Sequence, residues 1–289
     1  MLRSMTGFGR SEGVVNERKV TVELRSLNSK QLDLLVKVPG IYKDREAELR
    51  LLVGEHLQRG KVELVLACEH PQGAPRTRLD RTLLRTYLEE LRSIAREMAP
   101  EATTDLFAQA LRMHEASVAP VERVGEEEWG AVAALVRRAL AEMVRFRSSE
   151  GERLAVELRG RVDRITELLA HVEAMDDGRS ERTRERLRAK LNELGQEVDE
   201  GRFEQELVYY LEKMDITEEK VRLRSHCAYF LETLATDDAQ GRKLGFIAQE
   251  MGREINTMGS KANDAFIQRS VVHMKDELEK IKEQVLNVL

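Results

Sequence analysis

The chain has 289 residues, 34% of them charged and 4% aromatic, with a formal net charge of −5. That length supports one large domain or two modest ones, with a core of aliphatic side chains and solvated charge outside. The acidic balance excludes wrapping by nucleic acid through overall positive charge, so any nucleic-acid contact must use a local basic groove.

The first seventy residues read as strands around one helix. Val20, Val22 and Leu24 alternate with Lys19, Thr21, Glu23 and Arg25, the period of a half-buried strand. Leu32, Leu34, Val36 and Val38 continue that period after the polar break at Ser26–Gln31, and Pro39-Gly40 ends it. A helix is expected from Tyr42 to Leu57, then a strand with Val62, Leu64, Leu66 and Cys68 on one face. The order strand, strand, strand, helix, strand predicts a mainly antiparallel sheet with a helix on one face.

A turn at Pro71–Pro75 leads into a helix with Leu79, Leu83, Leu84, Tyr87, Leu88, Leu91, Ile94 and Met98 at three-and-four spacing. After a break at Pro100–Thr104, a helix from Glu126 carries Trp129, Val132, Val136, Leu140 and Met143 on one side. Residues 152–195 read as a charged helical hairpin turning at Asp176-Asp177-Gly178 and projecting from the body. Its basic run, Arg179, Arg182, Arg184, Arg186 and Arg188, could touch phosphates, but the interspersed glutamates favour a solvated face. The remainder is helical, with breaks at Met214-Asp215 and 237–241. The fold class is therefore α+β. Residues 1–150 form an N-terminal α+β domain, 151–200 the hairpin arm, and 201–289 a helical C-terminal domain carrying the site.

The cysteines Cys68 and Cys227 stand far apart and outside any CxxC pattern, which gives neither a disulfide framework nor a zinc site. No apolar leader segment is read, and no stretch approaches the ~20 apolar residues of a membrane helix, so a cytoplasmic protein is expected.

The chemistry-bearing residues gather near the C-terminus. At 100° per residue, Leu244, Ile247, Met251, Ile255 and Met258 form a core stripe, with Glu250 and Glu254 on its flank beside Arg253 and Thr257. Two carboxylates at i, i+4 beside an arginine can hold a divalent cation or position a water, although spacing alone favours a structural ion pair. In the preceding helix Asp215 is the expected N-cap with Glu218 in the capping-box position. Glu219, Arg222 and His226 fall on one line, where Glu219 could orient His226 as a base, and a core histidine is the plainer reading. Gly259 is the expected helix terminator, leaving Ser260 and Lys261 on a loop that could reach a phosphate. Asn28 and Lys30 between two strands, and Arg59 and Lys61 at a helix-to-strand turn, suit phosphate and 2′-OH contacts and equally suit turns. Phe8 could stack on a base, but packing under its glycine-flanked turn is the expected role.

Taken together, MLRSMTGFGRSEG, RSLNSKQLDLLVKVP, RGKVEL, GRFEQELVYYLEKMDITEEKVRLRSHCAYF and GRKLGFIAQEMGREINTMGSKAND resemble the YicC/YloC family of bacterial endoribonucleases over nearly the whole chain. The chain departs from the family pattern at Gln31, Val221 and Gly245. The resemblance implies an RNA-hydrolysing enzyme of bacterial RNA turnover, assisted by a divalent metal with Mn2+ favoured and Mg2+ suitable, working as a homo-hexamer that opens and closes around RNA. Within that reading Glu219, Glu250 and Glu254 are the metal candidates, and His226, Glu250, Arg253 and Glu254 the catalytic ones. Asn28, Lys30, Arg59, Lys61, Asn256 and Lys261 are the RNA-binding candidates. The rival reading is a non-catalytic RNA-binding or assembly factor.

Overall fold

The computed structural model describes residues 2–57, 59–69, 78–101, 105–113, 117–118, 124–193, 199–236 and 241–289. β1 (Gly7–Val15), β2 (Arg18–Leu27), β3 (Leu32–Lys37) and β4 (Gly60–Glu69) form one sheet in the order β1-β2-β4-β3. β1 and β2 pair antiparallel, as do β2 and β4, while β3 joins β4 in parallel. That parallel step follows from α1 (Glu46–His56), which carries the chain from β3 back to the start of β4. Asn16 and Glu17, at φ of 48° and 63°, make the tight β1–β2 turn. The alternation in β2 works as expected: Val20, Val22 and Leu24 are fully buried, and Val62, Leu64 and Leu66 of β4 join them.

The sheet is closed by the first half of a 51-residue helix, α4 (Glu126–Asp176). Trp129, Val132, Leu135, Val136, Leu140 and Met143 press onto the strands. β1 comes so close that a Cβ on Gly9 would stand 2.1 Å from the Ala139 carbonyl oxygen, so only glycine fits there. The second half of α4 presents Leu154, Leu158, Val162, Ile165, Leu169 and Val172 to a second core. That core is completed by α7 (Thr217–Ala235), α8 (Gly241–Lys261) and α9 (Ala265–Val285). The architecture is α+β, with α4 as the spine shared by a sheet unit and a helical bundle.

Two expectations change here. The segment 152–195 is no projecting hairpin. Its first half is core, because the stripe from Leu154 to Val172 meets other helices rather than water. The helix also runs unbroken past residue 150. A hairpin does exist, one element later, between α5 (Arg179–Glu193) and α6 (Glu200–Met214). Arg188 reaches Glu200 at 2.5 Å and Arg184 reaches Glu204, which sets the two helices antiparallel. Most of the basic run is thereby committed within the chain. Arg179 pairs with Asp176 at 2.8 Å, and Arg182 donates to the carbonyls of Met175 and Asp177.

α2 (Arg81–Met98) is capped by Asp80, which accepts from the Thr82 and Leu83 amides. Its apolar stripe stays largely open: Leu84 is buried, whereas Ile94 and Met98 are 52% and 78% exposed. α2 packs on α3 (Leu106–Arg112), beside a short pairing of β5 (Arg78–Leu79) with β6 (Ser117–Val118). The expected turn at 71–75, part of the break at 100–104, the hairpin's end at 195 and most of the break at 237–241 lie outside the described residues.

The two ends of the chain meet beside β2. Ser4 bridges Val288, the Met5 amide donates to the Asn287 carbonyl, and the Leu289 amide donates to the Arg3 carbonyl at 2.9 Å. Phe8, expected under a turn, is 40% exposed on β1 instead, because its neighbours Gly7 and Gly9 are the residues that face α4.

Candidate active site

The capping position of α7 is Ile216 rather than the expected Asp215, which stands one residue earlier and accepts from the Thr217 amide at 2.9 Å and its hydroxyl at 2.7 Å. These bonds hold the Asp215 pKa below its ordinary value, and Lys220 and Lys261 add to the effect. Glu218 does not complete a capping box, because its carboxylate pairs with Arg222 one turn on.

Glu219 points inward and is 4% exposed. Lys261 reaches it across the bundle, Nζ to Oε1, at 2.8 Å. The other oxygen, Oε2, is buried without a hydrogen bond. This pair joins the start of α7 to the end of α8, so the two helices run antiparallel. Two turns inward from Glu219 stands His226, and two turns inward from Lys261 stands Glu254. Antiparallel packing brings those two residues to one level along the groove. His226 is half-buried and Glu254 is 5% exposed, with no ion-pair partner among the described residues. A buried carboxylate on α8 and a half-buried imidazole at the same level on α7 are of the right types to hold and move a proton.

Several expected relations rearrange. Glu219 cannot orient His226, since seven residues of helix separate them by about 10 Å along the axis. Glu254 is the acid at the histidine's level instead. Gly259 does not end α8; the helix runs to Lys261, and Ser260 bonds back to the Thr257 carbonyl. Glycine is needed there because a Cβ would stand 2.9 Å from Val271 of α9. Lys261 is thus a last-turn residue turned onto Glu219, not a loop residue free for phosphate. Glu250 and Arg253 share the outer flank at 3.8 Å, with side chains 49% and 76% exposed, and Asn256 is exposed beside them.

The N-terminal candidates form a second group at the end of the sheet. Leu27 pairs with Lys61 and Leu32 with Gly60, so the loop holding Asn28 and Lys30 lies against Arg59 and Lys61. Lys30 and Lys61 are exposed, and Asn28 donates to the Leu286 carbonyl at 2.6 Å. α8 begins against Val285 and Val288, near this group, and ends at Lys261. Twenty-one residues of helix separate those ends by about 30 Å. Within one chain the two groups are therefore distinct.

Beneath the N-terminal group lies a residue the sequence reading passed over. Arg147 is 2% exposed, and its Nη2 donates to the carbonyls of Met5 and Arg59 and to the Ser26 hydroxyl. Burial, with some help from Arg3, holds its pKa below the ordinary value. The signal was present: Arg147 is the next position, at i+4, on the stripe that carries Leu140 and Met143.

The three carboxylates assigned to a metal do not converge within one chain. Glu219 is paired with Lys261, Glu250 lies outside with Arg253, and Glu254 is buried on its own. Among the described residues no three of His, Cys, Asp and Glu form a group suited to an ion. No described helix is long and apolar enough to cross a membrane.

Comparison with known proteins gives a consistent result. A family model described as "Endoribonuclease YicC-like, N-terminal region" matches residues 2–156, and "Endoribonuclease YicC-like, C-terminal" matches residues 172–289. A probable endoribonuclease YicC of Clostridioides difficile is 33% identical over 298 residues, covering 100% of both chains. A probable endoribonuclease YicC of Haemophilus influenzae is 30% identical over 292 residues, again covering 100% of both.

Proposed function

Because the chain belongs to the YicC-like endoribonuclease family, we propose that it cuts RNA internally, with the α7–α8 groove as its reactive centre. The observation that carries this reading is the full-length match to relatives named as probable endoribonucleases. Its geometric support is the shared level of His226 and the buried Glu254.

In this reading His226 takes and returns protons, and Glu254 orients the imidazole and balances its charge when protonated. Arg253, on the outer flank, supplies positive charge for a phosphate whose charge grows in the transition state, while Lys261 holds Glu219. Asn28, Lys30, Arg59 and Lys61 hold a more distant part of the strand, and Asn256 a nearer one. The roughly 30 Å between the two groups suits either a long RNA or a second copy that supplies one of them. The open apolar side chains of α2 and α3, including Ile94, Met98 and Phe107, support self-association, for which we propose the hexamer. We also propose that the protein acts in the cytoplasm, in RNA turnover. Dependence on Mn2+ or Mg2+ is proposed from the resemblance, and titrating each ion against the cleavage rate tests it.

Product ends discriminate the chemistry. A 2′,3′-cyclic phosphate marks attack by the 2′-OH with His226 as base, and a 5′-phosphate with a 3′-OH marks attack by water. Variants His226→Gln and Glu254→Gln that fold and cut at the wild-type rate would remove the groove from the reaction. One observation favours a rival: Glu219 and Glu250 each face a cation of the same chain, as structural ion pairs do. Pure protein that binds RNA and leaves it intact would support a non-catalytic RNA-binding or assembly factor.

A further inference from the structure

A cavity of about 70 Å3 lies where the chain ends, α1 and α4 come together. At about 30 Å3 per water it holds a pair of waters or one small oxyanion. Its lining is unusual for so small a space. Arg147, Arg3 and His56 line it together with the apolar Leu57 and Val144, and Leu289, the last residue, completes the lining. Glu55 is the acidic side chain at the rim, and it is exposed.

Arg147 is the key group. A guanidinium stays charged in proteins, and burying that charge without a carboxylate is costly. Its Nη2 is used three times, but only on uncharged oxygens. Its Nε is buried with no hydrogen bond at all. No ion pair compensates it among the described residues, and the cation Arg3 acts on it through space. His56 donates from Nδ1 to the Leu52 carbonyl at 2.9 Å, so in that tautomer Nε2 is an acceptor, suited to the O–H of a hydrogen phosphate. Arg59, whose own Nε is likewise buried and unpaired, meets Arg147 through its backbone carbonyl. Two arginines, one of them almost fully buried, and an imidazole thus line a space of oxyanion size, with Glu55 and Leu289 beside them.

We propose that this cavity is a binding site for a single phosphate group, held by Arg147 with Arg3 and His56. Free inorganic phosphate and a terminal phosphate monoester on an RNA strand share that chemistry. Lys30 and Lys61, exposed on the adjoining sheet end, are placed to accompany a strand that leads away from it. The inference does not require that the chain cuts RNA, since free phosphate would bind in either case.

The full-length protein is titrated with inorganic phosphate against chloride at matched ionic strength, following the thermal midpoint and binding heat. The expected result is a saturable midpoint rise that chloride does not give. The double variant Arg3→Gln/His56→Gln, altered only at exposed positions, should weaken phosphate binding by about tenfold or more, as lost charged hydrogen bonds do. Glu55→Gln should tighten it. A second arm compares one RNA oligonucleotide bearing a terminal phosphate with the same strand ending in a hydroxyl. Competition of the phosphorylated strand alone with inorganic phosphate supports the site and identifies a strand end as the source. A phosphate effect without that competition supports the site with free phosphate as ligand. No saturable effect on the wild type, or the same effect in the double variant, overturns the proposal whatever the cleavage activity.

Discussion

Replacing Lys261 by methionine tests the link between the ends of α7 and α8. The substitution keeps the aliphatic stem and removes the charge that Glu219 meets at 2.8 Å. The two side chains differ in burial, with Lys261 34% exposed and Glu219 5%. Breaking a buried pair by removing one partner costs roughly 3–5 kcal/mol, because the other charge is left uncompensated. Water already screens part of Lys261, so about 2 kcal/mol is expected here. The reverse change, Glu219→Gln, should cost only about 1 kcal/mol, since the freed lysine can turn to solvent and the amide stays uncharged. The double variant should be more stable than Lys261→Met alone. Urea unfolding of the four proteins measures all three differences and the coupling between the sites. If Lys261→Met destabilised no more than Glu219→Gln, the claim that a buried carboxylate depends on that lysine would fail.

Other outcomes follow from single contacts. Gly9→Ala should cost about 1–3 kcal/mol, because its Cβ would be driven onto the Ala139 carbonyl, and a chemical melt reads it. Asp215→Ala should cost about 1 kcal/mol at neutral pH through the two lost hydrogen bonds from Thr217. Since folding lowers the Asp215 pKa, its contribution is present above the ordinary value of 3.8 and vanishes as pH falls through the lower folded value. The stability gap between wild type and variant should therefore close in acid, and a gap that persists below that range would contradict the assignment. Burial pushes the Cys227 thiol up to about 11, so it should resist a thiol reagent at pH 8 until the chain unfolds, as timed labelling would show. Lys30→Gln together with Lys61→Gln should weaken RNA binding and reduce the salt slope by about two, as measured from binding isotherms at several salt concentrations.

Much of the fold could be read from periodicity because the periodic residues are the buried ones. Val20, Val22 and Leu24 announced β2, and Leu244 through Met258 announced the core face of α8. The stripe from Leu154 to Val172 was equally visible, but a stripe does not say what covers it. Charged residues around it suggested an arm, whereas the partners come from α7, α8 and α9, far along the sequence. Helix ends were harder still. Gly259 looked like a terminator, and its actual role is to let α9 approach, a constraint set by Val271. At the site, spacing on one helix put Glu219 beside His226, but packing turned Glu219 to Lys261 and buried Glu254. Arg147 was legible as a lone cation on an apolar stripe, and only the folded chain gives it a cavity.

Cleavage in the α7–α8 groove is the claim that most needs a direct test. The most direct measurement is incubation of a defined RNA hairpin with pure wild-type protein and with a folded His226→Gln variant, with and without Mn2+, followed by mapping of the product ends. Internal cuts by the wild type, with the rate lowered in the variant by about a hundredfold or more, are the predicted result. RNA that stays intact with both proteins in every condition, or is cut equally by both, would contradict it.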